Sequence, residues 1–396
     1  MKKALSFAVA LGLVAGAASV ASAAELAVTG DARMRGVYHN NYSDGNDNVA
    51  DKDQHIDHRY RLKLDTKIND DVSVQARLVF GDSDFATDEA TGFTADRYNM
   101  TIKTLGGTWT LGRQEASWAN AALPYTAKDV TKDRIKGVYK VGDVTLGAYL
   151  QKDSEANVAG VPVSQDAKFG DGDQDSWGAL VNAKAGDANF GVLAWYTMID
   201  TAAAKAANTD TGYVIDPYFN AKIGPATLLG EVRYEGGDCN KHLGKSKLGG
   251  FLAAVVGMDP VTITGLVAYS KNNSVATDKF APSVLVGTTN STGVFNFGQL
   301  QNTAVDNDRS YLVGGVVNFK ATDKLSFGAL AAYVGISKSA GVGGGKSSVT
   351  EYDVTMEYAL AQNAKYKLGV GYGDPKDIYA TNDNMLAIGN SVEVAW

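Results

Sequence analysis

The sequence predicts an all-β fold, a closed transmembrane antiparallel β-barrel of about eighteen strands. Apolar and polar residues alternate, in segments of about ten residues, from Leu26 to Trp396. In the run from Arg59 to Asp65 every second residue is charged and its neighbours are apolar. Alternation with a period of two indicates strands with one apolar and one polar face. A long series of such strands, with almost no helical period between them, predicts a barrel that is apolar outside and polar around a water-filled lumen.

The amino-terminal residues predict export from the cytoplasm. Lys2 and Lys3 precede an apolar stretch over residues 5–20, and Ala21-Ser22-Ala23 is a small-x-small cleavage site. These features are typical of a secretory signal peptide over residues 1–23, with a mature barrel domain over residues 24–396. A single spanning helix is the alternative, which the cleavage site and the Gly, Ala and Ser content disfavour. We therefore expect the barrel to lie in the outer membrane of a Gram-negative cell.

Composition and charge agree with this location. The chain has 44 Gly and 19 Tyr but only 7 Pro, which suits closely paired strands and aromatic girdles at the membrane surface. Removing Lys2 and Lys3 with the signal peptide lowers the formal net charge from −7 to −9, which argues against nucleic acid as a partner. Cys239 is the lone cysteine, so it has no partner for an intramolecular disulfide, and we expect it to be structurally idle.

Short and long connections alternate along the chain. Tight turns are predicted at Asn69-Asp70, Gly106, Gly142, Gly186-Asp187, Gly224 and Met258-Asp259, and the other connections are long and polar. This asymmetry is typical of outer-membrane barrels. The predicted strands span residues 26–38, 56–68, 71–81, 95–104, 107–114, 134–141, 143–152, 176–185, 188–199, 213–223, 226–236, 246–257, 260–271, 309–320, 324–336, 349–360, 364–373 and 385–396.

Two strands decide how the barrel closes. The twelfth is apolar on both parities from Leu248 to Leu252, so a barrel of sixteen strands is the alternative. The last strand alternates up to Trp396, and a chain that ends on a strand with a terminal aromatic can pair with the first strand.

In the first four strands the charged residues occupy alternate positions and therefore share one face. Leu26, Val28 and Met34 share the apolar face of the first strand, opposite Arg33 and Arg35. An arginine turned to lipid at mid-membrane would cost about 2–4 kcal/mol, so we expect the basic side chains to point into the lumen. Because neighbouring strands lie about 4.8 Å apart, they would form one basic patch. Its predicted arginines are Arg33, Arg59, Arg61, Arg77 and Arg97.

The segment after the fifth strand resembles the general diffusion porins of Gram-negative bacteria. The strand closes with Leu111-Gly112-Arg113-Gln114, a long loop without alternation follows, and the sixth strand begins at a basic residue, Arg134. In that family the third loop folds into the barrel. The resemblance implies that the loop over residues 115–133 folds inward as a constriction.

The resemblance also implies the residues of that constriction. Glu115, Asp129 and Asp133 would lie on the loop and face the arginines of the wall. Opposed charges across a narrow water channel set up a transverse field that favours small polar solutes over apolar ones. A homotrimer is implied by the resemblance as well.

No enzyme, cofactor or catalytic site is expected. The sequence has no nucleophile elbow, phosphate loop or haem attachment motif, and none of its four histidines belongs to a Ser-His motif. The acidic segment 171–175 resembles the start of a calcium loop but lacks Gly at the sixth place and Glu at the twelfth, so a loop-bound Ca²⁺ is a minor alternative to a solvated loop.

The leading hypothesis is a passive water-filled channel for ions and small hydrophilic solutes, in contact with membrane lipid and lipopolysaccharide. A substrate-selective porin is one alternative. It would need a track of aromatic side chains along the lumen, and the inward faces show few aromatics apart from Tyr149, Trp195 and Phe251. A barrel that sheathes an electron-transfer cytochrome is another, because a filled barrel has the same strand pattern.

Overall fold

Hydrogen-bonded strand pairing closes the chain into one ring in the computed structural model of the protein. The structure describes residues 25–40, 52–84, 93–115, 131–154, 174–200, 204, 207–240, 246–273, 307–338, 345–377 and 384–396. Eighteen antiparallel strands make up the ring, and each pairs with its neighbours in sequence.

The strands follow one another in chain order, with a short 3-10 helix over Asp238–Asn240 after the eleventh. They are β1 (Glu25–Asn40), β2 (Lys52–Lys67), β3 (Val72–Asp84), β4 (Phe93–Thr104), β5 (Gly107–Glu115), β6 (Thr131–Val141), β7 (Val144–Ser154), β8 (Gln174–Ala185), β9 (Ala188–Ile199), β10 (Thr211–Ile223), β11 (Ala226–Gly236), β12 (Lys247–Met258), β13 (Val261–Asn273), β14 (Asn307–Lys320), β15 (Leu325–Lys338), β16 (Lys346–Ala361), β17 (Ala364–Lys376) and β18 (Met385–Ala395).

Pairing of the first strand with the last closes the barrel. β1 pairs with β18 from Asp31–Ala395 to Asn40–Leu386, and on its other side with β2. The uncertain twelfth strand is regular and pairs with both β11 and β13. The prediction of eighteen strands is confirmed, and the alternative of sixteen is wrong.

The tight turns lie at one end of the barrel. Four of them contain glycines with positive φ, namely Gly106 at 74°, Gly142 at 59°, Gly186 at 58° and Gly224 at 59°. Two-residue hairpin turns need this left-handed backbone, which glycine adopts without steric cost. An even number of strands brings both ends of the barrel domain to this same side. Most residues of the long connections lie outside the described ranges, and so do residues 1–24.

The outer surface of the barrel is apolar, as the alternation predicts. Val28, Tyr98, Val181 and Tyr352 are each about half exposed, at 49%, 50%, 50% and 54%. In a barrel wall successive side chains point to opposite faces, so their sequence neighbours face the lumen. Among the residues that the structure describes, no helix is long and apolar enough to cross a membrane.

The inner surface differs from the prediction over about half of its circumference. A contiguous cluster of buried apolar side chains, here called the apolar wall, lies on the lumen side of β7–β16 and β18. Leu312 is 1% exposed, whereas its neighbours Tyr311 and Val313 on the outer face are 47% and 53% exposed. The inner face of these strands is therefore mixed, because polar side chains such as Gln151, Asp216 and Glu231 are buried on it as well, and the expected polar inner face holds there only in part. The wall consists of Tyr149, Leu180, Leu193, Tyr218, Phe251, Ala253, Leu266, Ala268, Leu312, Ala332, Val334, Ile336, Val349 and Ala387.

The terminal aromatic residue completes the seam. The Gly30 amide donates to the Trp396 carbonyl oxygen at 2.9 Å, and the Trp396 amide donates back to the Gly30 carbonyl oxygen at 3.0 Å. The indole ring lies directly over Gly30, where an added Cβ would be 2.5 Å from Cζ2 of Trp396 and 2.7 Å from the Arg61 carbonyl oxygen. Only a residue without a side chain leaves room for this contact.

Replacing Gly30 by alanine is expected to lower the free energy of unfolding by about 1–3 kcal/mol, because the new methyl group overpacks a contact with backbone. Denaturant unfolding of the purified protein in lipid vesicles measures this. Gly257→Ala is the matched control, since an added Cβ there meets no atom within 4 Å. Both changes reduce the freedom of the unfolded chain equally, so equal unfolding midpoints for the two variants would contradict the role of Gly30.

Candidate functional site

Opposite charges line the lumen side of the first five strands. The side chains alternate with lipid-facing residues such as Met34 and Tyr60, which are 45% and 44% exposed. We call this set the charged wall. It comprises Asp31, Arg33, Arg35, Asp57, Arg59, Arg61, Arg77, Asp96, Arg97 and Glu115.

Two aspartates each bridge a pair of arginines between β1 and β2. The register places Arg35 opposite Asp57 and Asp31 opposite Arg61. Asp57 accepts from Arg35 Nε at 2.6 Å and from Arg33 Nη2 at 3.3 Å. Asp31 accepts from Arg61 Nε at 2.8 Å, and its other oxygen lies 3.7 Å from Nη2 of Arg59.

The network continues on β3, β4 and β5. Arg77 donates from Nε to both carboxylate oxygens of Asp96, at 2.9 and 3.0 Å, and a further contact runs from its Nη2. Such two-pronged pairing fixes the direction of the guanidinium as well as its position. Arg97 Nη1 donates to Glu115 Oε2 at 2.8 Å. A register shift between β3 and β4 beside Arg77 accompanies this arrangement.

The charged wall has a net positive charge. Its six arginines face four carboxylates, so two positive charges are in excess. Pairing is expected to hold the arginines in place, and the excess rather than the number of arginines sets the contribution of this wall to the field in the lumen.

A cavity of about 690 Å³ lies beside the charged wall, on the lumen side of the closing seam. Arg33, Arg59 and Arg61 line one side of it, and the charged ends of β16–β18 line the other. On that second side Lys367 Nζ donates to Glu393 at 3.0 Å, and Lys365 Nζ donates to Glu357 at 3.3 Å. Cations and anions thus surround the cavity.

Two further arginines stack on aromatic rings within the lumen. The guanidinium carbon of Arg134 lies 4.5 Å from the ring centre of Tyr149, and that of Arg233 lies 4.9 Å from the ring of Trp195. Tyr149 belongs to the apolar wall and Trp195 packs against it. An arginine over an aromatic ring is a cation–π contact. Here the charged and apolar sides of the lumen meet.

The structure gathers all five predicted arginines on one wall and gives each an acidic partner. The sequence analysis did not predict the roles of Asp57 and Asp96. Each lies directly across or diagonal to an arginine on the neighbouring strand, and this relation can be recognised only when the strand register is known. Glu115 shares the parity of Arg113 at the end of β5, but its carboxylate reaches Arg97, with Oε2 at 2.8 Å from Nη1.

Asp133 lies elsewhere, and Asp129 lies outside the described residues. Asp133 shares the outward parity of Ile135, which is 47% exposed, and sits 3.1 Å from Arg113 Nη1. Burial of the lumen-facing Arg134 confirms that parity, since it is 8% exposed. The inward fold of residues 116–130 and the acidic face that they would provide stay a prediction.

Cys239 lies in the short 3-10 helix as a free thiol. Partial burial raises the pKa of this thiol, which keeps it protonated and poorly nucleophilic. The calcium alternative for segment 171–175 stays a prediction, because residues 171–173 lie outside the described ranges.

The closed ring, its apolar outer surface and its charged inner wall define a transmembrane barrel of the outer-membrane type. Residues 7–148 match the family model described as Gram-negative porin, so the resemblance to this family is confirmed. No curated protein matches the chain. The fold and the match to the porin model point to a channel rather than an enzyme.

Solved outer-membrane barrels of Pseudomonas aeruginosa share the fold. OpdL has a TM-score of 0.61 at 10% identity, over 94% of this chain and 99% of its own. OccK8 (OprE) has a TM-score of 0.58 at 13% identity, over 93% and 98%. OpdK has a TM-score of 0.58 at 12% identity, also over 93% and 98%. At such identities the likeness concerns the fold alone.

Replacing Asp57 by asparagine is expected to destabilise the folded barrel by about 3 kcal/mol, because Arg33 and Arg35 lose the buried carboxylate that they share. Denaturant unfolding in vesicles measures the change. Asp70→Asn serves as the control, since the side chain of Asp70 is 92% exposed and its ion pair with Lys67 lies in solvent. Unfolding midpoints that agree between the two variants would show that the bridge at Asp57 adds nothing.

Proposed function

We propose that the protein is a water-filled outer-membrane channel for passive diffusion of ions and small hydrophilic solutes. The observation that carries the proposal is the cavity of about 690 Å³ beside the charged wall. The side chains that line this free volume are largely charged. Hydrated solutes would therefore pass along the charged side.

The narrowest part of this path is proposed to lie between the charged wall and the loop over residues 115–133. Arg33, Arg59, Arg61, Arg77 and Arg97 would form the fixed basic side of the constriction, with Glu115 at its edge. The outward parity of Asp133 leaves it out, and Asp129 would contribute from the loop. Two excess positive charges on the wall favour anions over cations in this part of the channel.

The cellular setting is part of the same proposal. Residues 1–23 would be removed during export as a signal peptide, and the outer surface would contact membrane lipid and lipopolysaccharide. We propose a homotrimer on the resemblance to porins. The proposal needs no cofactor, and a Ca²⁺ at segment 171–175 would be a loop ligand rather than part of the channel.

A substrate-selective channel is the second candidate, and the stacked arginines favour it. Arg134 over Tyr149 and Arg233 over Trp195 pair a positive charge with an aromatic ring at the border of the apolar wall. Such a border would select a solute with an anionic group and an aromatic body. OpdK, a barrel of similar fold, has been solved with vanillate.

Single-channel recording in a planar bilayer tests the main proposal. The purified protein should conduct, and replacing Arg33, Arg61 and Arg77 together by glutamine should shift the reversal potential toward cations. The change turns the wall from six arginines against four carboxylates into three against four, so its net charge passes from +2 to −1. The shift should shrink at 1 M salt, where the Debye length is about 3 Å.

Arg113→Gln is the matched control, because Arg113 lies on the outward parity beside Asp133 and should leave the reversal potential unchanged. Folded protein that does not conduct would refute the open channel and favour a barrel filled by a partner. A reversal potential indifferent to the triple replacement would place the selective region elsewhere.

Deleting residues 118–128 tests the loop separately. If the loop narrows the channel, the single-channel conductance should rise, because the removed chain occupies volume in the conducting path. A deletion of the same length in another long connection, residues 157–167, is the control for the loss of loop residues as such. Equal conductance in the two deletion variants and the intact protein would place the loop over residues 115–133 outside the channel.

A further inference from the structure

The inner face of β16 carries a carboxyl group that has no basic partner among the described residues. Glu351 is 0% exposed, and within the described part of the chain neither of its carboxylate oxygens has hydrogen-bond geometry to a partner, although the Asp353 carboxyl group lies close enough to interact with it. Asp353 lies two residues further along the same face, and its Oδ1 also has none. A carboxylate removed from water without a partner is costly, so a group with this geometry is suited to a ligand that supplies positive charge or donors.

The surroundings of this pair are small and apolar. The register sets Glu351 between Ala332 on β15 and Gly373 on β17, and Asp353 between Leu330 and Gly371. Val349, which is 2% exposed, precedes Glu351 on the same face. The two carboxylates thus interrupt the apolar wall, and no basic side chain stands directly opposite either of them.

The same face of β16 leads from the pair to the cavity of the charged wall. Glu357, Thr355 and Asp353 follow one another at every second position, and Glu357 lines the cavity. Glu357 is partnered by Lys365, whereas among the described residues no ion pair forms at Glu351 or Asp353 further along the strand. A polar track therefore connects the free volume of the lumen with Glu351.

The chemistry of the pair distinguishes between kinds of cation. Among the described residues there is no group of three or more His, Cys, Asp and Glu side chains that could hold a metal ion. Residues two apart on a strand are about 7 Å apart, so two such carboxylates can accept hydrogen bonds from a single ammonium group. The small apolar neighbours suit the carbon body of an organic cation rather than a hydrated ion.

We propose that Glu351 and Asp353 bind the ammonium group of an organic cation, whose apolar body packs against the apolar wall. The inference rests on the proposed channel only for the route by which the solute arrives. It gives the lumen two sides of different selectivity, an excess of positive charge on β1–β5 and an unpaired acidic site on β16.

Binding of phenethylammonium to the folded full-length protein in detergent tests the site by isothermal titration calorimetry. Wild type should bind, and Glu351→Gln should weaken the affinity about tenfold or more, since a charge-assisted hydrogen bond is lost. Asp353→Asn should weaken it less. Asp323→Asn is the control, because this acid is 95% exposed in a turn at the end of the barrel. Heat-modifiable migration in gels confirms that each variant is folded.

Phenylacetate is the matched probe of opposite charge, and its affinity should not fall in Glu351→Gln. Absence of phenethylammonium binding to wild type, equal affinity in Glu351→Gln, or an equal loss for phenylacetate would each overturn the site. These outcomes are independent of conductance. Binding by a protein that does not conduct would refute the channel and support the site, and conduction without binding would do the reverse.

Discussion

Closure of the strand ring is the constraint on which the rest of the structure depends. Lipid offers no hydrogen bonds to the backbone, so every amide and carbonyl at membrane depth must pair with a neighbouring strand. The pairing of β1 with β18, completed by Gly30 and Trp396, removes the last free edge. With the ring closed, period-two geometry divides all side chains between lipid and lumen. The outer face must then be apolar, and only the inner face is free to vary.

The inner face uses that freedom to build two unlike sides. On β1–β5, arginines and carboxylates pair within the same wall, so that most of their charge is balanced locally. On β7–β16, buried apolar side chains form a contiguous cluster, with buried polar side chains such as Gln151 and Glu231 among them. The cavity beside the charged wall follows from this division, because ionised groups retain hydration that apolar groups give up.

The sequence predicted the ring well and only half of its interior. Strands such as β2 alternate charged and apolar residues. This period of two predicts that the segment is a strand, where it lies in the sequence and which of its side chains face the lumen. In β12 both parities are apolar, and the pattern carries no information on which side chains face inward. The roles of Asp57 and Asp96 depend on register, and a slip of one residue would turn them to the opposite face. Register is set by the whole ring, which no single segment contains.

The two sides of the lumen differ in how their carboxylates are paired with cations. At Asp57 one carboxylate pairs with two arginines, which leaves one positive charge in excess. At Glu351 the described residues provide no cation, although the burial of this carboxylate is complete. A barrel under selection for stability alone would gain by replacing such a group with an apolar residue of similar size, as buried ion pairs in other proteins show. A buried acid with no basic partner among the described residues, beside the apolar wall, is therefore better explained by a ligand than by the fold, and it is the feature of this lumen that the barrel architecture does not require.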